Sequence, residues 1–163
     1  FKDAYFNRFN NIWHHGDFAE IKKTNGLIIH GRSDTTLNPG GVRLGTAEIY
    51  SEVERFKEIN ESIVVGQSWD NDVRIILFIV MNRKFYLTED LLKKIKFQIK
   101  KNASPRHVPS KIIEVKDIPR TKSGKIVELA VKNILDGNNI KNKEALANPM
   151  ALNQFKNLKE LSY

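Results

Sequence analysis

The spacing of hydrophobic residues along the chain changes several times between a strand-like and a helix-like period. Residues 21–23 and 27–30 are predicted strands on either side of Thr24-Asn25-Gly26, and the Asn-Gly pair favours the positive φ angles of a tight hairpin turn. Aromatic residues at helix-like spacing precede this hairpin, from Phe1 to Trp13. We expect them to pack on this domain or on a partner.

A loop that contains Asn38-Pro39-Gly40-Gly41 separates the hairpin from a series of longer elements. The first of these is an amphipathic helix over about 46–59, which is followed by strands over 62–69 and 74–81. The second strand is apolar at every position from Ile75 to Val80. Such a pattern is typical of a strand that is covered on both faces.

The remaining elements complete a mixed domain. A helix is predicted to begin after the N-cap Thr88 and to end at Pro105, followed by a short strand over 111–115 and a helix to about Leu135. This order indicates a small α+β domain, in which a β-hairpin accompanies a central three-stranded sheet flanked by helices. The polar tail beyond residue 136 is expected to be partly helical, with a short helix after Asn148.

Charge divides the 163-residue chain into two unequal parts. Up to residue 90 there are 11 basic and 13 acidic side chains, a net charge of −2, whereas residues 91–163 carry 16 basic and 6 acidic side chains, a net charge of +10. A basic half indicates a polyanionic partner, which can be nucleic acid, a membrane surface or a phosphorylated small molecule. No RNA-binding or zinc-finger signature accompanies the lysines, and most of them are expected to lie on a solvated helix face.

Composition excludes several kinds of site. The chain has no cysteine, which excludes disulfide scaffolds, thiolate nucleophiles and cysteine zinc sites. The four histidines lack the spacing of a metal-binding motif, so we expect no metal site in this chain. There is no apolar run of membrane-spanning length, no apolar signal region and no initiator Met, and we expect a piece of a longer cytoplasmic protein.

Two segments combine cations with flexible glycines. The loop PRTKSGK (119–125) has three cations and a glycine between a strand and a helix, so it can deliver an ammonium group to a phosphate or a carboxylate. The segment 31–50 places Arg32 and Asp34 at a strand exit and Arg43 before a helix. Taken singly, these segments also fit an ordinary solvated turn and a loop followed by a capped helix.

In combination and in order, the motifs resemble the C-terminal domain of the acyl-adenylate-forming superfamily, which includes acyl-CoA synthetases, luciferases and nonribosomal peptide synthetase adenylation domains. The segment LNPGGVRLGTAEIY resembles the acetyl-CoA and acetoacetyl-CoA synthetase branch, and Asn38-Pro39-Gly40-Gly41 with the extended tail is most like the acetoacetyl-CoA synthetases. The matching motifs are Gly16-Asp17, Gly31-Arg32-x-Asp34, Gly41-x-Arg43 and Ser123-Gly124-Lys125.

The resemblance implies an acid–thiol ligase that uses ATP and CoA in two half-reactions. The acid, here acetoacetate, first forms an acyl-AMP, and the CoA thiol then forms the thioester and releases AMP. A large N-terminal domain, missing from this chain, would be the partner and would bind Mg²⁺ and the ATP phosphates, with neither nucleic acid nor a membrane as a further partner. Residues 1–30 would be the end of the crossover from that domain and the hairpin, residues 31–136 the mobile domain, and residues 137–163 the tail.

The resemblance also implies roles for residues in the adenylation half. Lys125 would be the catalytic lysine, which reaches the carboxylate and the α-phosphate as their charge grows. Asp17 would accept hydrogen bonds from the ribose hydroxyls, and Arg32 would lie near the nucleotide phosphate.

Other matched residues would serve the domain rotation and the thioester half. Asp34 would be the hinge, Gly41 would lie beside the channel for the CoA thiol, and Arg43 would help to hold the second conformation. Lys96 falls near a position that touches a CoA phosphate. The sequence departs from the family pattern at Thr35, where many members carry a second acid.

Two alternatives remain open at the level of sequence. Since the acyl pocket would lie in the absent domain, the enzyme could be a synthetase for acetate, propionate or another short acid. From another class, the chain could be a free-standing basic module that binds nucleic acid or other anions. We expect the chain by itself to have no ligase activity.

Overall fold

The computed structural model describes residues 2–140 and 142–162, so Phe1 of the aromatic stretch, Lys141 and Tyr163 lie outside the described residues. The described part contains an α+β arrangement of two small sheets, as the sequence predicts. Its helices and strands are, in chain order, α1 (Lys2–Tyr5), β1 (Asp17–Ile21), β2 (Leu27–Arg32), α2 (Ala47–Val53), β3 (Ile59–Trp69), β4 (Asp72–Met81), α3 (Glu89–Asn102), β5 (Lys111–Glu114) and α4 (Glu128–Leu135).

The central sheet has three strands in the order β3-β4-β5. Strands β3 and β4 are antiparallel and are joined by a tight turn at Asp70 and Asn71, which both have positive φ, a conformation that these two residue types tolerate. Strand β5 lies parallel to β4, and the crossover between them contains α3. The middle strand β4 is therefore hydrogen-bonded on both edges.

Alternate residues of β4 pack into two different cores, which confirms the prediction of a strand covered on both faces. Ile75, Leu77 and Ile79 face α2 and α3, whereas Ile76 and Phe78 face α4 and the tail. This alternation follows from the two-residue period of a strand. Helices thus flank the sheet on both sides.

The helices differ from the sequence prediction in length but not in order. Helix α2 ends at Val53, six residues before the predicted end, because Phe56 and Ile59 make tight turns in which their amides donate to Val53 and Phe56, and Ile59 already begins β3. The predicted N-cap of α3 is confirmed, since Thr88 Oγ1 accepts a hydrogen bond from the amide of Leu91 at 3.2 Å. No helix among the described residues is long and apolar enough to cross a membrane.

Strands β1 and β2 form a separate antiparallel hairpin. The first strand lies earlier than predicted, at Asp17–Ile21, and Lys22 belongs to the turn, where its amide donates to the carbonyl of Gly26. Apolar side chains on this hairpin are exposed to solvent, and they are Ile21, Leu27, Ile28 and Ile29. The hairpin therefore presents an apolar surface that the described residues leave uncovered.

The C-terminal tail packs on the domain through three 3-10 segments, Lys143–Ala145, Pro149–Phe155 and Lys159–Leu161. The predicted short helix after Asn148 is the middle one of these. Phe155 is buried against Phe78, with the two rings edge to face and their centroids 4.9 Å apart. The tail therefore contributes to the core on the α4 side of the sheet.

Candidate functional site

The base of the hairpin brings together three of the predicted site residues. Asp17 opens β1 and lies opposite Arg32, the last residue of β2, because the strands are antiparallel. One guanidinium nitrogen of Arg32 is 3.6 Å from an Asp17 carboxylate oxygen, and another is 3.4 Å from Asp34. The guanidinium side chain is half exposed, so this cluster of one cation and two carboxylates is open to solvent.

Backbone contacts fix the geometry of this cluster. The carbonyl of Gly16 accepts hydrogen bonds from the amide of Ser33 at 2.8 Å and from its hydroxyl at 3.0 Å. Gly16 has a φ of +91°, and a Cβ atom there would lie 2.7 Å from the Arg32 guanidinium. The positive φ therefore favours glycine at this position, whereas the Arg32 guanidinium is the far end of a flexible side chain and can move aside.

His15 completes the cluster, although the sequence analysis assigned it no role. Its Nδ1 contacts the Asp17 carboxylate, and its carbonyl accepts a hydrogen bond from Arg32 at 3.0 Å. The position of His15 next to the Gly16-Asp17 motif is the signal that could have identified it.

A second group that sequence reasoning missed joins the hairpin to the domain. Glu48 of α2 lies between two histidines, with its carboxylate 3.3 Å from His30 Nδ1 and 3.0 Å from His107 Nε2. The Nδ1 of His107 in turn contacts the hydroxyl of Ser104 at 2.8 Å. Gly45 allows this close docking, because a Cβ atom there would lie 2.4 Å from the carbonyl oxygen of His30.

The loop that carries Gly41 and Arg43 is closed at its base and exposed at its tip. Leu37 and Leu44 form an antiparallel bridge with two backbone hydrogen bonds, and both are buried. The amide of Gly40 donates to both carboxylate oxygens of Asp72 at 2.9 Å. Gly41 has a φ of +75°, and a Cβ atom there would meet nothing within 4 Å. Gly41 and Arg43 are both exposed to solvent.

Lys125 lies at the end of a tight turn between β5 and α4. The amide of Thr121 donates to the carbonyl of Lys125 at 2.9 Å, and the amide of Gly124 donates to the carbonyl of Thr121 at 2.8 Å. Arg120 braces the turn from within, since its guanidinium donates to the carbonyl of Gly124 at 2.9 Å and pairs with Glu61 at 3.0 Å. Within the described part of the chain, no ion pair or hydrogen bond engages the Nζ of Lys125, which is exposed.

The structure separates the remaining predicted residues from the hairpin cluster. Over residues 2–140 and 142–162, no hydrogen bond or ion pair connects Lys125, Lys96 or Arg43 with Asp17, Arg32 or Asp34. Lys96 lies on α3, part of the helical layer on the other side of the sheet from the tail. No cluster of histidine and carboxylate side chains suited to a metal ion occurs among the residues that the structure describes.

Comparison with known proteins finds a matching domain family and similar relatives. Residues 48–125 match the family described as the AMP-binding enzyme C-terminal domain. The chain is 60% identical to an acetoacetyl-coenzyme A synthetase of Rhizobium meliloti and 47% identical to an acetoacetyl-CoA synthetase of Xenopus tropicalis, in each case over 99% of the chain. It spans about a quarter of the length of these curated relatives, 25% and 24% respectively.

Solved structures show the same relationship. An acetoacetyl-CoA synthetase from Streptomyces lividans has a TM-score of 0.86 and 39% identity over 95% of this chain and 24% of that one. A benzoate CoA ligase from Burkholderia xenovorans has a TM-score of 0.67 and 25% identity over 80% of this chain and 25% of that one. Residues 48–125 therefore match the AMP-binding enzyme C-terminal domain, and the chain is similar over almost its whole length to acetoacetyl-CoA synthetases.

Proposed function

We propose that the chain is the mobile C-terminal part of an AMP-forming acetoacetate–CoA ligase. The reaction converts ATP, acetoacetate and CoA into AMP, diphosphate and acetoacetyl-CoA. The observation that carries this proposal is the 60% identity, over 99% of the chain, with a relative named acetoacetyl-coenzyme A synthetase. In this proposal residues 1–30 connect to a large N-terminal domain, residues 31–136 rotate, and residues 137–163 form the tail.

The reaction has two steps that need different groups near the acyl carbon. In the first, an acetoacetate oxygen attacks the α-phosphorus of ATP, the bond to the diphosphate breaks, and acetoacetyl-AMP forms. In the second, the thiol of CoA loses its proton and its sulfur attacks the acyl carbon, and AMP leaves. Because the two attacking groups differ, a domain that offers a different face in each step can serve both.

Lys125 is the catalytic residue of the first step. Negative charge grows on the α-phosphate oxygens during the attack, and an ammonium group at hydrogen-bond distance stabilises that charge. The exposed position of Lys125 supports this role, as does the lack of a competing carboxylate at its Nζ among the described residues. Arg120, by contrast, is committed to Glu61 and to the carbonyl of Gly124.

Asp17 and Arg32 bind the nucleotide, and Asp34 is the hinge. Asp17 accepts hydrogen bonds from the ribose hydroxyls and Arg32 approaches a phosphate, roles that suit an ionised carboxylate and a guanidinium. Their direct pairing places both groups at one point of the hairpin, and their exposure allows them to change partners. Asp34 is the second residue after β2, where the backbone leaves the hairpin for the rest of the domain.

Gly41, Arg43 and Lys96 serve the thioester half. A glycine at the exposed tip of the loop leaves room for the thiol arm of CoA, and the open space around Gly41 supports this role. Arg43 helps to hold the second conformation, and Lys96 contacts a CoA phosphate. The net charge of +10 over residues 91–163 favours the approach of this anionic substrate.

The proposed partner is the large N-terminal domain, and the apolar surface of the hairpin supports it. Four exposed aliphatic side chains on a hairpin of eleven strand residues are typical of a surface that another domain covers: Ile21, Leu27, Ile28 and Ile29. The proposal assigns Mg²⁺ to that domain and no Mg²⁺ ligand to this chain. It places the enzyme in the cytoplasm, with neither nucleic acid nor a membrane as a partner.

Substitution of Lys125 tests the proposal. In the intact protein, Lys125→Ala should lower acetoacetate-dependent exchange of diphosphate into ATP by about 100-fold or more, because the α-phosphate loses its stabilising cation. The reaction of preformed acetoacetyl-AMP with CoA should be retained, since the other face serves that step. Lys122→Ala is the matched control, because Lys122 is an exposed lysine of the same turn and should leave both half-reactions intact.

Two results would contradict the proposal. Equal losses in both half-reactions for Lys125→Ala would show that the residue has no specific role in adenylation. Acid-dependent exchange with acetate or propionate but not with acetoacetate would keep the mechanism and reject the substrate.

A further inference from the structure

The turn that ends at Lys125 is paired along one side with the C-terminal tail. The amide of Lys122 donates to the carbonyl of Ala145 at 3.0 Å, and the amide of Ala147 donates to the carbonyl of Arg120 at 2.9 Å. Between these two bonds, Thr121 and Leu146 form an antiparallel bridge. Residues 120–122 and 145–147 therefore form a short antiparallel two-stranded ladder, which ends three residues before Lys125.

One tail side chain holds the segment that leads into this turn. The Oδ1 of Asn148 accepts a hydrogen bond from the amide of Arg120 at 2.8 Å. Its Nδ2 donates to the Asp117 carboxylate at 2.7 Å and to the carbonyl of Ile118 at 2.9 Å. The side-chain amide of Asn148 thus bonds three residues between β5 and the turn, and it uses both its donor and its acceptor.

The tail itself is fixed to the core, so it can act as a support. Leu146, Leu152 and Phe155 are all buried. The side chain of Gln154 accepts from the amide of Lys116 at 2.6 Å and donates to the carbonyl of Asp117 at 2.9 Å. Displacement of the tail would therefore expose apolar surface and break hydrogen bonds at both ends of the contact.

We infer that Asn148 is a positioning residue for Lys125, and that the tail holds the Lys125 turn in place for the adenylation step. The inference rests on the proposed function, since it assumes that Lys125 acts on the acid and the α-phosphate. Asn148 acts through the backbone of residues 117–122. Catalytic groups must be held within a fraction of an ångström, and a misplacement of about 1 Å can cost about 100-fold in rate.

The test uses the intact protein with Asn148→Ala, which removes the three hydrogen bonds and keeps the apolar tail contacts. The turnover number for acetoacetate-dependent exchange of diphosphate into ATP should fall between about 10-fold and 100-fold, with the KM values for ATP and acetoacetate changed less than about threefold. The reaction of acetoacetyl-AMP with CoA should be unchanged. Hydrogen exchange of the amides in residues 120–125 should become faster.

A matched control and a rescue separate positioning from loss of folding. Asn153→Ala changes the same residue type in the same tail, at an exposed side chain that bonds only Met150 and Lys156 among the described residues, and should have no effect. The double variant Asp117→Asn with Asn148→Asp exchanges the donor and acceptor of one pair and keeps an acceptor for the Arg120 amide. Because the carbonyl of Ile118 then faces a carboxylate instead of an amide donor, the double variant should recover part of the adenylation rate and should be faster than Asn148→Asp alone.

The possible failures differ in kind. If Lys125→Ala still blocks adenylation, two results would overturn the positioning role alone. One is that Asn148→Ala slows both half-reactions in proportion to the loss of folded protein. The other is that Asn148→Ala and Asn153→Ala have the same adenylation rate. If the unsubstituted protein showed no acid-dependent exchange and Lys125→Ala changed nothing, the proposed function would fail and this inference with it.

Discussion

Arg120 and Lys125 are two cations of the same turn with different surroundings. Arg120 is paired with Glu61 and donates to a carbonyl of the turn, so its guanidinium already has partners within the chain. Lys125 projects into solvent, and no hydrogen bond or ion pair within the described residues engages its Nζ. Residue type alone does not distinguish Lys125 from Arg120, because both are basic residues near a glycine. The motif Ser123-Gly124-Lys125 distinguishes them, because it contains only Lys125.

At the same scale, the exposed glycine of the loop 38–43 gives a test of the thioester half. Gly41→Ala should cost about 1 kcal/mol of folding free energy, because the φ of +75° disfavours a side chain. A methyl group there should also slow the reaction of acetoacetyl-AMP with CoA in the intact protein, since it would narrow the path of the thiol. The measurements are urea denaturation and single-turnover thioester formation.

Gly137→Ala is the control for this prediction. Gly137 has a φ of +72° and likewise has nothing within 4 Å of a built Cβ, so the folding cost should be similar. Thioester formation should be unaffected, because Gly137 is assigned no role. Slowing by both substitutions, or by neither, would argue against a ligand path at Gly41.

At the scale of elements, Tyr50 of α2 joins two other elements of the domain. Its hydroxyl donates to the carboxylate of Glu128 in α4 at 2.5 Å and accepts from the amide of Val64 in β3 at 3.0 Å. Burial, followed by the negative charge of Glu128 and the hydrogen bond to it, raises the pKa of the Tyr50 phenol well above its ordinary value. The neutral phenol is therefore the form that stabilises the fold.

Tyr50→Phe should destabilise the chain by about 1–3 kcal/mol at neutral pH, because the Val64 amide and the Glu128 carboxylate each lose a partner. The unfolded phenol loses its proton near pH 10, whereas the folded one retains it to higher pH. The contribution of Tyr50 to stability is therefore complete below about pH 10 and is lost as the pH rises through the folded pKa. The difference between the parent chain and Tyr50→Phe should shrink from pH 9 to pH 11.

Urea denaturation across that pH range measures this difference in the free energy of unfolding. The lysines also titrate in this range, but both proteins contain the same lysines, so their effect cancels in the difference. Tyr86→Phe is the control, since Tyr86 is 81% exposed and the loss of its hydroxyl should leave the dependence of stability on pH unchanged. A difference for Tyr50→Phe that stayed constant or grew with pH would contradict the assigned role of the neutral phenol.

Patterns of neighbouring residues predicted most helices and strands, but they did not predict contacts between residues far apart in the sequence. The cap at Thr88 and the two-residue alternation of β4 can be read from neighbouring residues, and both are observed. The pairing of Asn148 with Arg120 joins positions 28 residues apart, and that of Glu48 with His107 joins positions 59 apart. No local pattern specifies such pairs, because they depend on how the finished elements pack.

For the candidate site, sequence motifs predict the residues and the structure gives their arrangement. Asp17 and Arg32 belong to separate motifs, and the register of the hairpin places them opposite each other. Helix α2 was predicted too long, because the apolar stripe continues through Phe56 while the backbone already turns towards β3. Apolar periodicity reports which side chains are buried and does not report where a helix ends.

At the scale of the whole molecule, the domain is covered on both faces of its sheet and left uncovered at its hairpin. The two cores meet on β4, and the tail completes one of them. The aliphatic side chains of the hairpin remain exposed, with Ile21 at 77% and Leu27 at 63%. This hairpin is the surface on which the proposed N-terminal domain would pack.

The most direct test follows CoA-dependent release of AMP by the intact protein with acetoacetate, acetate, propionate and butyrate side by side. The 163-residue chain alone serves as the control and should release no AMP, since Mg²⁺ and the ATP phosphates are bound elsewhere in this account. We predict AMP release that depends on both acid and CoA, with acetoacetate clearly preferred. Absence of acid-dependent AMP release with all four acids would contradict the account.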